Sequence, residues 1–260
     1  MQFWPGANYR SLTGFRDKMH SIAIGIGWAR TARMGHTKAK ASFRMSGLPI
    51  YCERIPMLTL DHIAVSASDL PSATRHVEAS LGVPLQPGGV HAVFHTHNTL
   101  LGLSDDLYLE AIAVNPDAPK PDRARWFDLD RFSGLPRLTN WICRCDDLEA
   151  ALALLPAGFG KPVDLARGDI RWRMAVPQNG VLPFDNCAPA LIEWQSDAHP
   201  TGRLQQQGCS ITNLEVSHPE SGELEALLAP FLKDARIGFV AGPAALAAQM
   251  QTPGGAVWLR

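Results

Sequence analysis

Four polar side chains stand inside strongly apolar stretches of this 260-residue chain, and they fall into two matched pairs. His62 lies in LDHIAVSASDL and Glu110 in LYLEAIAV; Asn140 lies in LTNWICRCDDL and Glu193 in ALIEWQ. Setting Asp69-Leu70 beside Asp147-Leu148 puts Asn140 opposite His62. Setting the two closing stretches side by side puts Glu193 opposite Glu110. A carboxylate or imidazole in an apolar strand is costly to bury unless it is paired or bound to a cation. Groups of these types move protons or hold cations. Each also has a plainer use: His62 as a satisfied core histidine, Glu110 as the partner of Arg171 or Arg173, and Glu193 as a seat for the interface beside Trp194.

The elements that must position these groups form a repeat. Residues 58–67 read as a strand. Ser68 serves as the cap of a helix over 69–80, which Leu81-Gly82 ends. Pro87-Gly-Gly89 reads as a turn, 90–97 and 99–103 as strands, and Asp105-Asp106 as a tight turn into a strand over 107–114. The order is βαβββ. A proline-rich loop over 115–122 follows, packed down by Trp126-Phe127. The second unit repeats the order, with strands over 139–145, 161–166, 170–177 and 190–195 and a helix over 147–155. A third, shorter echo has strands over 210–217 and 237–240, helices over 221–232 and 244–250, and a final strand over 256–260.

His91, His95 and His97 follow period-two spacing, which puts them on one strand face. One or two of them, with Thr96 and Asn98, are expected at a cavity mouth. Trp126, Phe127, Trp141, Trp172, Phe184 and Trp194 either line a pocket for a ring-bearing ligand or fill the core. There is no GxSxG elbow, P-loop, complete GxGxxG after a strand, or HExxH, which sets aside the chemistries those motifs serve.

Charge is uneven. Residues 1–56 hold nine of the 24 basic and two of the 25 acidic side chains, which leaves residues 57–260 at −8. An acidic body argues against nucleic acid as a partner. No apolar run is long enough for a membrane helix. Cysteines number five, with no zinc-type spacing, and Cys143 and Cys145 share a strand face and cannot easily bond to each other. That favours a reducing, cytoplasmic compartment. The basic residues 1–56 are expected to be a poorly ordered or non-native extension ahead of Met57.

A βαβββ repeat with His in the first strand and Glu in the last resembles the vicinal oxygen chelate superfamily. That group holds glyoxalase I, ring-cleaving dioxygenases and bleomycin-resistance proteins. GGVHAVFHTHNTLLGLSDDLYLEAIAV, RARWFDLD, LPRLTNWICRCDDLEAAL, LIEWQSDAHPTGRLQQQGCSITNLEVSHPE and QTPGGAVWL together resemble its glyoxalase-like domain family. The resemblance covers about residues 58–260.

It implies an α+β fold in which paired βαβββ modules (residues 57–200) curl one mixed sheet around a cavity, with an additional C-terminal βαβ-type unit (201–260). It implies a divalent cation, Mn, Ni, Fe(II), Zn or Mg, held by His62, Glu110, Asn140 and Glu193. Asn140 departs from the usual pattern, being a neutral and weaker donor. Glu193 or Glu110 would be the catalytic base, and His97, Asn98, Arg171, Arg173 and Trp141 would line the pocket. The implied activity is a metal-assisted lyase or isomerase of small oxygenated substrates. The alternative is a protein that sequesters a small molecule in the same cavity. A homodimer is expected by analogy alone.

Overall fold

The computed structural model describes residues 55–260. The extension read over 1–56 falls outside the described residues except for its last two, and Cys52 lies outside them too. The first βαβββ unit is β1 (Thr59–Ser66), α1 (Leu70–Leu81), β2 (Gln86–His91), β3 (Thr96–Leu103) and β4 (Leu107–Val114). The second is β5 (Arg137–Arg144), α2 (Leu148–Leu154), β6 (Lys161–Arg167), β7 (Ile170–Val176) and β8 (Ala190–Trp194). Their strands form one curled eight-stranded sheet in the order β2-β3-β4-β1-β5-β8-β7-β6. Each unit pairs its first and last strands in parallel, β1 with β4 and β5 with β8. The two units join through antiparallel β1 and β5 at the centre.

Local chemistry explains the helices. The Asp69 carboxylate accepts the Ser72 N–H at 2.8 Å, so Asp69 rather than Ser68 caps α1, and Gly82 closes it at φ 70°. Asp147 caps α2 in the same way through the Ala150 N–H at 2.9 Å. Ala73, Val77 and Leu81 are the buried residues of α1. Among the described helices none is long and apolar enough to cross a membrane. Cys143, Cys145, Cys187 and Cys209 are buried free thiols.

The third unit is more complete than its sequence suggests. After β9 (Ser210–Ser217), α3 (Ser221–Leu228) and β10 (Ile237–Val240) come two strands, β11 (Ala245–Thr252) and β12 (Gly255–Leu259). The stretch read as a helix over 244–250 is therefore a strand. Its alanines favour helix, but Leu246, Ala248, Met250 and Thr252 are buried alternately, and strand pairing with β9 decides. These four strands form a separate sheet in the order β10-β9-β11-β12, so the unit pairs differently from the first two. Trp141 on β5 meets Phe239 on β10, with ring centroids 6.4 Å apart.

Irregularities in β1 and β2 of the large sheet bear on the site. In β1, Leu60 faces Cys143 and His62 faces Ile142, so Asp61 is an extra residue in a β-bulge. In β2, the pairing slips between Pro87 and Val90, so the Pro87-Gly-Gly89 stretch is a bulge within a strand and not a turn. The turn comes later, before Thr96. His91, His95 and His97 consequently do not share a strand face: His91 ends β2, His95 sits in the turn at φ 51°, and His97 lies on β3.

Candidate functional site

The concave side of the large sheet carries a small, partly open cavity. Its two walls differ. The first unit supplies His62, His91, Asn98, Tyr108 and Glu110, most of them polar; the second supplies Ile170, Trp172, Met174, Ile192 and Trp194, all apolar or aromatic, with Arg167 at its edge. The segment between the units lays Trp126 and Phe127 against the cavity. Phe127 is held at φ 60°, a left-handed conformation costly for a bulky residue. The Asp128 N–H to Gly180 carbonyl bond at 2.9 Å anchors the segment.

Glu110 is the centre of the polar wall. The Asn98 amide donates to its Oε1 at 2.5 Å. The Nε2 atoms of His91 and His62 stand 3.9 Å from its two oxygens, one on each side. Asn98 is placed by its own carbonyl oxygen, which accepts the Gly89 N–H at 2.8 Å and faces Arg167 at 3.3 Å. A Cβ on Gly88 would lie 2.0 Å from that oxygen. Gly88→Ala should therefore displace Asn98 and destabilise the fold by roughly 1–3 kcal/mol, the usual cost of overpacking; chemical denaturation measures it, and an unchanged midpoint would refute this account of the bulge.

His91 is buried and bonded to the Thr96 hydroxyl through Nδ1 at 2.9 Å. Burial, together with the nearby Arg167 charge, pushes its pKa down from 6.5 to about 3. The unfolded chain binds that proton first, so stability should fall as pH drops from 6.5 toward 3. The slope is at most about 1.4 kcal/mol per pH unit. His91→Gln should flatten that part of a stability–pH curve, and an equally steep curve would count against a neutral buried His91. Tyr108 is shifted the other way: burial first, then Asp61 and Glu110, raise its phenol well above 10. It stays a neutral hydrogen-bond donor, with its ring stacked on His62 at 4.2 Å.

Behind His62 stands Asp61, fully buried. Its Oδ1 accepts from His62 Nδ1 at 2.6 Å. Its Oδ2 accepts from Trp194 Nε1 at 3.0 Å, His199 Nε2 at 3.2 Å and Arg144 at 3.5 Å. Burial raises its pKa, but the hydrogen bonds from His199 and His62 outweigh it and hold the carboxyl well below the usual range. Asp61, Tyr108 and Arg167 are site residues that the sequence reading did not select; His91 is the member of the histidine trio that reaches the cavity.

The structure brings His62, Glu110, Asn98 and, of the histidine trio, His91 to the cavity and turns the other candidates away. On β8, Ile192 and Trp194 face the cavity, so Glu193 faces α2, where it accepts the Leu148 N–H at 2.9 Å and pairs with Arg173 at 2.5 Å. Trp172 faces the cavity from β7, so Arg171 and Arg173 lie on the opposite face. Trp141 is buried on the outer side and donates to the Cys187 carbonyl at 2.8 Å. His97 alternates away from Asn98. Asn140 is buried with neither amide atom hydrogen-bonded and does not line the cavity.

Register explains the misplaced acid. The offset that matches the Asp-Leu pairs makes Ile142 the counterpart of Ala64. Ala64 pairs with Glu110 and Ile142 pairs with Ala190. The true counterpart of Glu110 is thus Ala190, three residues before Glu193. The second unit offers the cavity no imidazole or carboxylate, and the amide nitrogen of Asn98 stands against Glu110. Among the described residues no three His, Cys, Asp or Glu side chains gather as a metal site. The residues present do not fit a cation shared between the two units.

Comparison with known families matches residues 60–232 to the glyoxalase-like domain. No curated protein matches the chain. A hypothetical protein from Staphylococcus aureus is similar in structure at TM-score 0.54 and 18% identity, over 73% of this chain and 88% of that one. That likeness is one of fold. Methylmalonyl-CoA epimerase from Mycobacterium tuberculosis aligns at TM-score 0.35 and 19% identity, over 52% of this chain and 85% of that one. The Mn(II)-bound glyoxalase from Novosphingobium aromaticivorans aligns at 0.41 and 10%, over 74% and 64%.

Proposed function

This chain belongs to the glyoxalase-like domain family, and from that premise we propose that it is an isomerase or lyase that moves a proton next to a carbonyl in a small oxygenated substrate. The observation that carries the reading is the buried Glu110 carboxylate, flanked at 3.9 Å on both sides by imidazole nitrogens. Glu110 takes the proton from carbon. His62 receives it or returns it at a neighbouring atom, and the developing enolate oxygen is met by the Tyr108 hydroxyl and by Arg167. Return to a different face or atom gives an isomerase; loss of a leaving group gives a lyase. No step runs through a metal ion. The apolar wall of Trp172, Trp194, Met174 and Ile192 suits a substrate with a ring or alkyl body.

The test uses 2-hydroxyacetophenone, which carries two neighbouring oxygens and a ring. Protein in deuterated buffer should exchange its methylene protons faster than buffer alone, as followed by NMR. Added Mn(II), Ni(II), Zn(II) or Fe(II) should leave the melting temperature unchanged; a clear rise would overturn the metal-free reading. A second reading, sequestration without turnover, is favoured by the aromatic wall. It predicts saturable quenching of tryptophan fluorescence by the same compound with no exchange.

A further inference from the structure

We propose that Asp61 is a positioning residue that fixes His62 in the tautomer whose bare Nε2 faces Glu110. Neighbours in a regular strand point to opposite faces. The bulge at Asp61 breaks that rule, and it brings the carboxylate to within 2.6 Å of its neighbour's Nδ1. Every group around the carboxylate is a donor. Trp194 Nε1 and Arg144 can only donate. His199 accepts the Thr201 N–H on its Nδ1 at 3.3 Å, so its Nε2 carries the proton that it gives to Asp61. The carboxylate can only accept, and the His62 proton therefore resides on Nδ1. The stack on Tyr108 keeps the ring from turning. On the far side, bare Nε2 and the Glu110 Oε2 are two acceptors 3.9 Å apart, with a proton wanted between them.

The arrangement predicts what an amide would do. Three donors converge on Oδ2 and one on Oδ1. The side chain of Asp61→Asn has one accepting end, which turns to the three. Its NH₂ then faces His62, whose Nδ1 must accept, and the proton moves to Nε2. The cavity loses its acceptor without losing its shape. Loss of the correct tautomer is the established effect of the same substitution in the serine-protease triad, where it is a known pattern.

The role in proton transfer rests on the proposed function, but the tautomer is read with no substrate present. The measurement is long-range proton–nitrogen correlation on full-length protein with ¹⁵N-histidine at alkaline pH, with His62→Gln to identify the resonances. Wild type should show protonated Nδ1 with a far-downfield proton and bare Nε2, and Asp61→Asn should show the reverse. Protonated Nε2 in wild type, or an unchanged pattern in the variant, overturns the proposal. Should Asp61→Asn not fold, the wild-type spectrum decides: without the downfield Nδ1 proton the proposal falls. If the tautomers are as expected and neither protein exchanges 2-hydroxyacetophenone, the functional reading fails and the Asp61 geometry stands.

Discussion

Glu110→Gln should slow solvent exchange into 2-hydroxyacetophenone by about 10²–10⁴-fold, the range that a positioned general base contributes. The substitution keeps the volume and one accepting oxygen, so the Asn98 contact at 2.5 Å can persist. What it removes is the capacity to take a proton. Binding should change little, since the apolar wall is untouched, and the loss should fall on kcat more than on KM. Tryptophan quenching by the same compound separates the two effects, because Trp126, Trp172 and Trp194 line the cavity. A variant that exchanges at the wild-type rate would remove Glu110 from the reaction.

Asp61→Ala should lower stability by roughly 3–5 kcal/mol, the usual cost of deleting one member of a buried charged network. It strands the His62, His199 and Trp194 donors, each within 3.2 Å of the missing carboxylate. For a domain of this size that corresponds to a fall in Tm on the order of 10 °C. The pH dependence has a definite sign. The native carboxyl titrates well below the ordinary 3.8, so its contribution is whole above pH 3.8 and drains as pH falls further. The gap between wild type and variant should therefore be widest near neutrality and narrow in strong acid. A gap below about 1 kcal/mol at pH 7 would mean that the network is no stronger than a surface ion pair.

The architecture was largely legible because the apolar strands and the Asp caps repeat, and repetition survives small errors in boundary. His62, Glu110 and Asn98 were legible for the same reason: each is a polar residue in an apolar strand. What was hidden depends on register. Glu193 was paired with Glu110 by the likeness of two short endings, and a three-residue error made an outward acid read as a cavity acid. Arg171 and Arg173, two apart on β7, share one strand face, but nothing in the pattern said which face was concave. Asp61 was invisible because a bulge leaves no mark on hydrophobic alternation, and adjacent strand residues read as opposed. Which of the three histidines reaches the cavity was obscured by Pro87-Gly-Gly89, which looks like a turn and is an interruption within β2.

The unlike walls of the cavity bear on how this protein can change over evolutionary time. With Ala190 at the position that matches Glu110, the second half brings no acid to the cavity that substitution could remove. Mutations along β7 and β8 can then reshape the apolar wall while leaving His62 and Glu110 of the other half alone. New preferences should accumulate on the second half, and a laboratory selection for altered substrates has its natural targets at Trp172, Met174, Ile192 and Trp194.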